Sequence, residues 1–235
     1  MPYLAFIQDS RIEFLVSDLL EKARKSQRES VIAFERNVID PFAALFEMAS
    51  FNISTVADWR VQEARRQAQK TLQNALGEFH QQVLGSVSGW SDTGRGGIVD
   101  LVCEEKKLIA EVKNKYNTVK GSDRIKYYQK FEEMVQHRTS RYHGWACYFV
   151  EVVPAREKQY DKPFIPPDNT TGVRAPENKS IRLIDGRSFY RLVTGRPQAL
   201  DELIDALPRV LEKISSYRFA AQEVRYVRDY FDKAY

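Results

Sequence analysis

Two acidic residues and one lysine lie in neighbouring apolar runs of the sequence. The runs are IVDLVC (98–103) and LIAEVKN (108–114), with Asp100 in the first and Glu111 and Lys113 in the second. Because side chains alternate along a β-strand, Glu111 and Lys113 share one face. Carboxylate oxygens suit Mg²⁺. Two carboxylates that hold this cation, with a lysine alongside, can bind a phosphodiester, lower the pKa of a bound water and stabilise developing negative charge.

The Glu-Glu-Lys-Lys turn between the two runs predicts the register of a hairpin. With the centre of the turn between residues 105 and 106, Asp100 lies opposite Glu111, their Cβ atoms about 4.5–5.5 Å apart. Like charges in this position destabilise a sheet unless a cation offsets them. The other face of the predicted hairpin pairs apolar residues only, namely Val99 with Val112, Leu101 with Ala110 and Cys103 with Leu108.

A simpler interpretation is that these charged side chains only face water, since an E-x-K triplet occurs by chance in many chains. The acids interrupt strongly apolar β runs, however, and the register places Asp100 opposite Glu111. This combination favours a functional pair.

The hairpin resembles a known catalytic signature. G-I-V-D-L-V (97–102), ten residues between Asp100 and Glu111, and then E-V-K (111–113) are similar to the PD-(D/E)xK nuclease superfamily. More narrowly, QKTLQNALGEFHQQVLGSVSGW, the VDLV strand and LIAEVKNKYNTVKGSDRIKYY resemble type II restriction endonucleases, especially a branch that cuts GGNCC-type sites. The resemblance is strongest over residues 67–130, and it departs from the superfamily at Val99, where a proline is usual.

The resemblance implies an α/β fold with a PD-(D/E)xK restriction-endonuclease-like core, a mixed central sheet flanked by helices. It implies that Asp100 and Glu111 hold Mg²⁺, with the backbone carbonyl of Val112 as a further ligand, and that Lys113 orients or activates the attacking water. Many members add a glutamate from the helix before the core, and Glu78 is the candidate here. The alternative for Glu78 is an exposed residue that contacts Gln82 one helical turn away.

The implied activity is Mg²⁺-dependent hydrolysis of double-stranded DNA at a short palindromic site, with GGNCC as the candidate, leaving 5′-phosphate and 3′-hydroxyl ends. A palindromic site matches a two-fold homodimer, whose interface the last helix or the N-terminal helices could supply. A separately encoded DNA methyltransferase is a partner that the resemblance leaves open. Two alternatives remain: a repair or junction-resolving nuclease on the same core, and a non-catalytic DNA-binding module with structural acids.

Basic residues are concentrated directly after the Glu111 strand. Residues 113–130 carry six Lys and Arg against one acid, Asp123, a local charge of +5 where the whole chain has +4. Phosphates beside a scissile bond need such neutralisation, although a solvated helix face would have the same composition. The candidate DNA contacts are Lys115, Asn117, Lys120, Arg124 and Lys126 from this run, and Arg141, Arg174 and Arg182 from the region 139–187.

The elements around the hairpin are predicted from hydrophobic spacing and turn residues. Helices are expected over 10–25, over 29–50 with a break or kink at Pro41, from the N-cap Thr55 to about Leu84, and from Ser122 to about Arg138. A short strand is expected around Val87–Trp90, and further strands at 144–153 and 181–184. A short helix (188–194) and a last helix from Pro208 complete the chain. We predict one nuclease domain, 1–235, with an N-terminal helical part (1–55), a catalytic core (56–153), and a loop and C-terminal helical part (154–235).

Composition excludes other classes. With 43% hydrophobic and 29% charged residues, the 235-residue chain is not disordered. No apolar run has the length of a membrane span, and the first residues lack the features of a signal peptide. Cys103 and Cys147 cannot build a disulfide framework or a zinc site by themselves, so a reduced, cytoplasmic protein is expected. The three histidines have no zinc spacing and are expected at the surface or hydrogen-bonded.

Overall fold

A mixed six-stranded sheet with helices on both faces forms the centre of the computed structural model. The structure describes residues 1–32, 38–94, 96–155, 159–168 and 170–235. Its elements in chain order are α1 (Asp9–Ile32), α2 (Pro41–Ser50), α3 (Val56–Gly85), β1 (Ser91–Asp92), β2 (Leu101–Cys103), β3 (Leu108–Lys115), α4 (Gly121–Gln136), β4 (Ala146–Val153), β5 (Asp161–Pro163), β6 (Ile181–Asp185), α5 (Gly186–Thr194), α6 (Ala199–Ser215) and α7 (Ala221–Ala234). The predicted α/β class is confirmed.

The sheet has the order β1-β2-β3-β4-β6-β5. The β2–β3 hairpin is antiparallel, whereas β3, β4 and β6 run parallel to one another. Parallel neighbours need crossover connections, and α4 is the crossover from β3 to β4. The strand β4 is therefore covered on both faces, which explains its continuous apolar run.

Two hydrophobic cores cover the two faces of the sheet. The core on the α3 face holds Leu84, Leu101, Ala110, Val112 and Phe189, which pack with α1, α5 and α6. The core on the α4 face contains Ile109, Tyr128, Phe131, Phe149 and Phe164. Because side chains of β3 alternate between the two cores, Glu111 and Lys113 lie on the α4 face.

Caps define the helix starts. The Thr55 hydroxyl accepts the Asp58 N–H at 3.1 Å, which confirms the predicted N-cap of α3. Asp40 caps α2, with Pro41 at its first position, and Asp185 caps α5 by accepting the Ser188 N–H at 3.0 Å. Capping by Asp185 turns the chain from β6 directly into α5.

Several predicted elements differ from the structure. The expected strand at Val87–Trp90 is wrong, because those residues form turns before β1. The last helix does not begin at Pro208. That proline lies inside α6, which ends at Ser215; the C-cap Ser216, with a left-handed φ of 57°, separates α6 from α7. The part of the predicted 29–50 helix at residues 33–37 lies outside the described residues. No helix in the described ranges is long and apolar enough to cross a bilayer.

Candidate active site

The predicted register of the hairpin holds only near its turn. Leu101 pairs with Ala110, Val102 with Ile109 and Cys103 with Leu108, as expected. The Asp100 N–H, however, donates to the carbonyl of Ala110 at 3.0 Å. Asp100 and Leu101 thus both lie opposite Ala110, which is the arrangement of a β-bulge. The predicted pairs Asp100–Glu111 and Val99–Val112 are wrong as ladder partners.

The chain before Asp100 folds back tightly. A side chain on Gly97 would come within 1.9 Å of the Thr93 hydroxyl, so only glycine fits there. Thr93 in turn donates its hydroxyl to the carbonyl of Val99. Val99 consequently packs into the core on the α4 face, opposite to its predicted face.

Asp100 completes the edge of β3 with its side chain. Its carboxylate accepts the backbone N–H of Val112 at 2.7 Å, in the place where a backbone carbonyl of β2 would continue the ladder. The carbonyl of Val112 points to the same vacated edge. The bulge therefore brings a carboxylate and a backbone carbonyl together beside β3.

Glu111 and Lys113 complete the cluster on the α4 face. Glu111 is 7% exposed, and the Lys113 ammonium lies 2.7 Å from its Oε1. The same ammonium lies 5.0 Å from the centre of the Tyr127 ring of α4, within cation–π range. Lys113 is thus held between a buried carboxylate and an aromatic face.

Burial and neighbouring charges perturb these groups. Burial, and then the negative charge of Glu111, raise the pKa of Asp100 to about 6, although the Val112 N–H and Lys113 act in the opposite direction. Burial by itself would lower the pKa of Lys113, but the charge and hydrogen bond of Glu111 outweigh burial and raise it. Lys113 is therefore a cation at neutral pH. Its single positive charge faces two carboxyl groups, those of Asp100 and Glu111.

The donor set fits a hard divalent cation. Asp100 and Glu111 supply carboxylate oxygens, and Val112 supplies a carbonyl oxygen. Within the described ranges no group of three or more His, Cys, Asp or Glu could hold a metal. Mg²⁺ is commonly held by one or two carboxylates and keeps several waters, so two acids and one carbonyl suit it better than a metal that needs a full protein cage.

Helix α3 approaches this cluster with glutamines and a glycine. The Gln81 amide lies 3.5 Å from the carbonyl of Val112, and the Asn114 amide donates to Gln73 at 3.2 Å. Gly77 lies between the two contacts, where a Cβ would stand 4.0 Å from Asn114. No motif in the sequence pointed to Gln81; a glycine inside a helix, four residues from each glutamine, is the signal for this contact between α3 and β3.

Glu78 points elsewhere. Its carboxylate forms an ion pair with Lys22 of α1 at 2.8 Å, and Lys22 also binds Asp18 at 2.9 Å. The structure thus places Glu78 at the α1–α3 contact, and Gln81 rather than Glu78 is the α3 residue beside Val112.

A basic groove opens next to Lys113. It has a volume of about 480 Å³ and is lined by Thr118, Val119, Lys120, Asp123, Lys126, Tyr127 and Lys130. Tyr127 lines this groove and also contacts the Lys113 ammonium, so the groove and the candidate active site adjoin. Lys115, the last residue of β3, and Asn117, in the turn that follows, are both exposed.

The predicted DNA contacts divide into two groups. Arg124 forms an ion pair with Glu151, which is 5% exposed, and stacks over Phe149 at 5.1 Å. Arg182 is similarly held, by both the carboxylate and the carbonyl of Asp161. Both arginines thus have a carboxylate partner within the fold.

The remaining candidates are more exposed. Lys126 pairs with Asp123, and Arg141 with Glu104, but both cationic side chains are at least 70% exposed. Arg174 is exposed and lies 3.4 Å from the carbonyl of Ile165. Surface ion pairs of this kind are weak and exchange readily for a phosphate.

The environments of His80, Cys103 and Cys147 indicate structural rather than catalytic roles. The Nδ1 atom of His80 lies 2.8 Å from the Tyr190 hydroxyl, and burial lowers the pKa of His80 to about 4, so this histidine is neutral and hydrogen-bonded. Cys103 and Cys147 are both buried and free. Burial raises the pKa of the Cys147 thiol, which removes it as a nucleophile.

The chain matches one family model and is similar to two type II restriction enzymes. A model of the Eco47II restriction endonuclease family matches residues 4–216. The type II restriction enzyme Eco47II of Escherichia coli is 48% identical over 222 residues, which cover 94% of this chain and 92% of that protein. The type II restriction enzyme Sau96I of Staphylococcus aureus is 30% identical over 217 residues, 89% of this chain and 80% of that protein.

Proposed function

The chain belongs to the Eco47II restriction endonuclease family and is a type II restriction enzyme, and from this premise we propose that it cuts double-stranded DNA at a short palindromic site with Mg²⁺ as cofactor. The observation that carries the proposal is the cluster of Asp100, Glu111 and Lys113 where β2 leaves β3. Its acids stand close enough for Glu111 to raise the pKa of Asp100, as a cation site requires.

Each residue has a proposed role. Asp100 and Glu111, together with the carbonyl of Val112, would hold Mg²⁺, which would supply a bound water of lowered pKa and positive charge for the phosphoryl oxygens. Lys113 stays protonated, orients the attacking water and stabilises the charge that develops on the phosphate. Gln81 orients the Val112 carbonyl, a role that the sequence did not indicate for any residue. Glu78 remains a proposal as a further catalytic residue, less favoured because Lys22 holds it.

We propose that the basic groove binds the DNA backbone. Lys120 and Lys126 line the groove that adjoins Lys113, and Lys115 and Asn117 are exposed at the end of β3 and just after it. All four are proposed to contact phosphates on one side of the scissile bond. Arg141 and Arg174 are proposed readers of guanine at a GGNCC-type site, since arginine binds guanine O6 and N7 in the major groove.

The whole chain acts as one nuclease domain in this proposal, because both cores share the single sheet. A palindromic site needs two catalytic centres, so the active form is a homodimer. A methyltransferase that modifies the same site is the proposed cellular partner.

The test is digestion of double-stranded DNA of known sequence with Mg²⁺, followed by mapping of the ends. We expect a fixed ladder of fragments whose ends fall within one palindromic sequence. Cleavage confined to branched or damaged DNA would instead support a repair or junction-resolving enzyme. Salt-dependent binding without cleavage in any divalent cation would contradict the nuclease assignment.

A further inference from the structure

The outer face of α2 is an apolar surface. Phe42, Leu45 and Phe46 are 72%, 69% and 73% exposed, and Ala49 is exposed as well. Residues at these spacings share one side of a helix. None of the residues of α2 is buried. We call Phe42, Leu45, Phe46 and Ala49 the α2 stripe.

The opposite side anchors α2 firmly. Ala44 and Met48 pack on a small cluster built around Trp59 of α3 and Ile53. The indole N–H of Trp59 donates to Glu47 at 2.8 Å. The stripe is therefore presented by a helix that is already fixed to α3. A helix that is apolar on both sides is normally buried on both sides.

The charge of α2 decides what can cover the stripe. Its sequence, PFAALFEMAS, has no Lys or Arg, and its one acid, Glu47, is bound by Trp59. DNA binding needs cations, and helices that lie on membranes have a basic polar face. An uncharged apolar stripe, by contrast, meets an identical stripe without repulsion.

The exposed area of the α2 stripe also fits a contact with a second copy of this chain. Aromatic side chains present roughly 150–250 Å² each, so Phe42 and Phe46, 72% and 73% exposed, leave roughly 300 Å² open on the stripe. Two such surfaces in contact bury roughly 600 Å², and the exposed Leu45 and Ala49 of both copies bring the total toward the 1,000 Å² or so that a specific interface needs.

We propose that the α2 stripe is the contact between two copies of this chain, packed on its own counterpart about a two-fold axis. The inference rests on the proposed function, because that function calls for two catalytic centres. The interface leaves the candidate active site open, since Trp59 beside α2 and Gln81 beside Val112 are roughly 33 Å apart along α3 at 1.5 Å per residue.

The first test is sedimentation of the full chain and of Phe46→Glu over a range of concentrations. We expect a dimer for the wild type and a dissociation constant raised at least about 100-fold for the variant, as for a central interface aromatic. Tyr230→Glu is the matched control, because Tyr230 is 70% exposed on α7 and receives the same change. A monomeric wild type, or a Phe46→Glu dimer as strong as the wild type, overturns the proposal.

A second variant covers the case in which Phe46→Glu fails to fold. Leu45→Cys places one exposed thiol on the stripe, and the two natural cysteines are buried. Mild oxidation should link two chains through Leu45→Cys but not through the control Tyr230→Cys. Absence of the link, or equal linking in both variants, contradicts the interface.

The same preparations separate the two proposals. Wild-type cleavage of DNA together with a Phe46→Glu variant that remains dimeric rejects the α2 interface and leaves the nuclease function standing. A wild type that dimerises through α2 but cuts no DNA in any divalent cation rejects the nuclease function alone.

Discussion

The backbone N–H of Val112 donates to the carboxylate of Asp100 at 2.7 Å. This single contact joins the bulge of β2 to the edge of β3 and puts the carboxylate beside Glu111. It also favours the ionised form of Asp100, against the burial that favours the protonated form. The bond therefore serves both the backbone ladder and the proposed cation site.

Replacing Asp100 should slow cleavage strongly without unfolding the protein. Asp100→Asn keeps an acceptor for Val112 but removes the negative charge, so several kcal/mol of transition-state stabilisation, or about 10³-fold in rate, should be lost. The measurement is single-turnover cleavage of plasmid DNA. Glu105→Gln in the exposed turn is the control and should cut like the parent. Equal activity of Asp100→Asn and the parent would remove Asp100 from the site.

Without a divalent cation, stability should decrease as the pH rises through about 6. Asp100 binds its proton more tightly in the folded than in the unfolded chain. Its contribution to stability is therefore complete below pH 3.8 and lost above about pH 6. The loss is on the order of 2–3 kcal/mol. Urea unfolding at pH 4.5 to 7.5 measures it. Asp100→Asn should show no such decrease, and saturating Mg²⁺, which binds the ionised form, should reverse it in the parent. A pH profile unchanged by the substitution would contradict the assignment.

Arg124 should prove structural. Arg124→Met removes the ion pair of the buried Glu151, whose other side-chain partner among the described residues is the Tyr160 hydroxyl at 2.5 Å. An unpaired buried charge costs about 3–5 kcal/mol. The double variant Arg124→Met/Glu151→Gln should recover most of the loss. Lys126→Met, which breaks an exposed pair with Asp123, should cost less than about 1 kcal/mol. Urea denaturation of the three variants measures these losses in the free energy of unfolding. Equal losses for the two single variants would contradict a structural role that is specific to Arg124.

The basic groove should determine the salt dependence of DNA binding. In the Asp100→Asn background, which binds without cutting, Lys120→Gln and Lys126→Gln should each reduce the slope of log K against log salt by about 0.9. Fluorescence anisotropy of a labelled duplex gives the slope. Lys162→Gln, on β5 away from the groove lining, is the control. Unchanged slopes for both groove variants would indicate that DNA binds to another face of the protein.

Local features were readable from the sequence because their causes are local. Thr55 caps α3 through a residue three positions away, and alternation along β3 puts Glu111 and Lys113 on one face whatever surrounds them. The cluster of Asp100, Glu111 and Lys113 was likewise predicted from residue types and spacing. These inferences survive changes elsewhere in the chain.

Only the tertiary structure decided where the strands slip and which distant groups meet. One extra residue at Asp100 moved Val99 to the other face, because a period of two defines a face only relative to a fixed register. Likewise Glu78 pairs with Lys22, and Arg124 with Glu151, through contacts that exist only once helices and sheet have packed. Sequence therefore determined the chemistry available at this site, and packing determined which side chains are free to perform it.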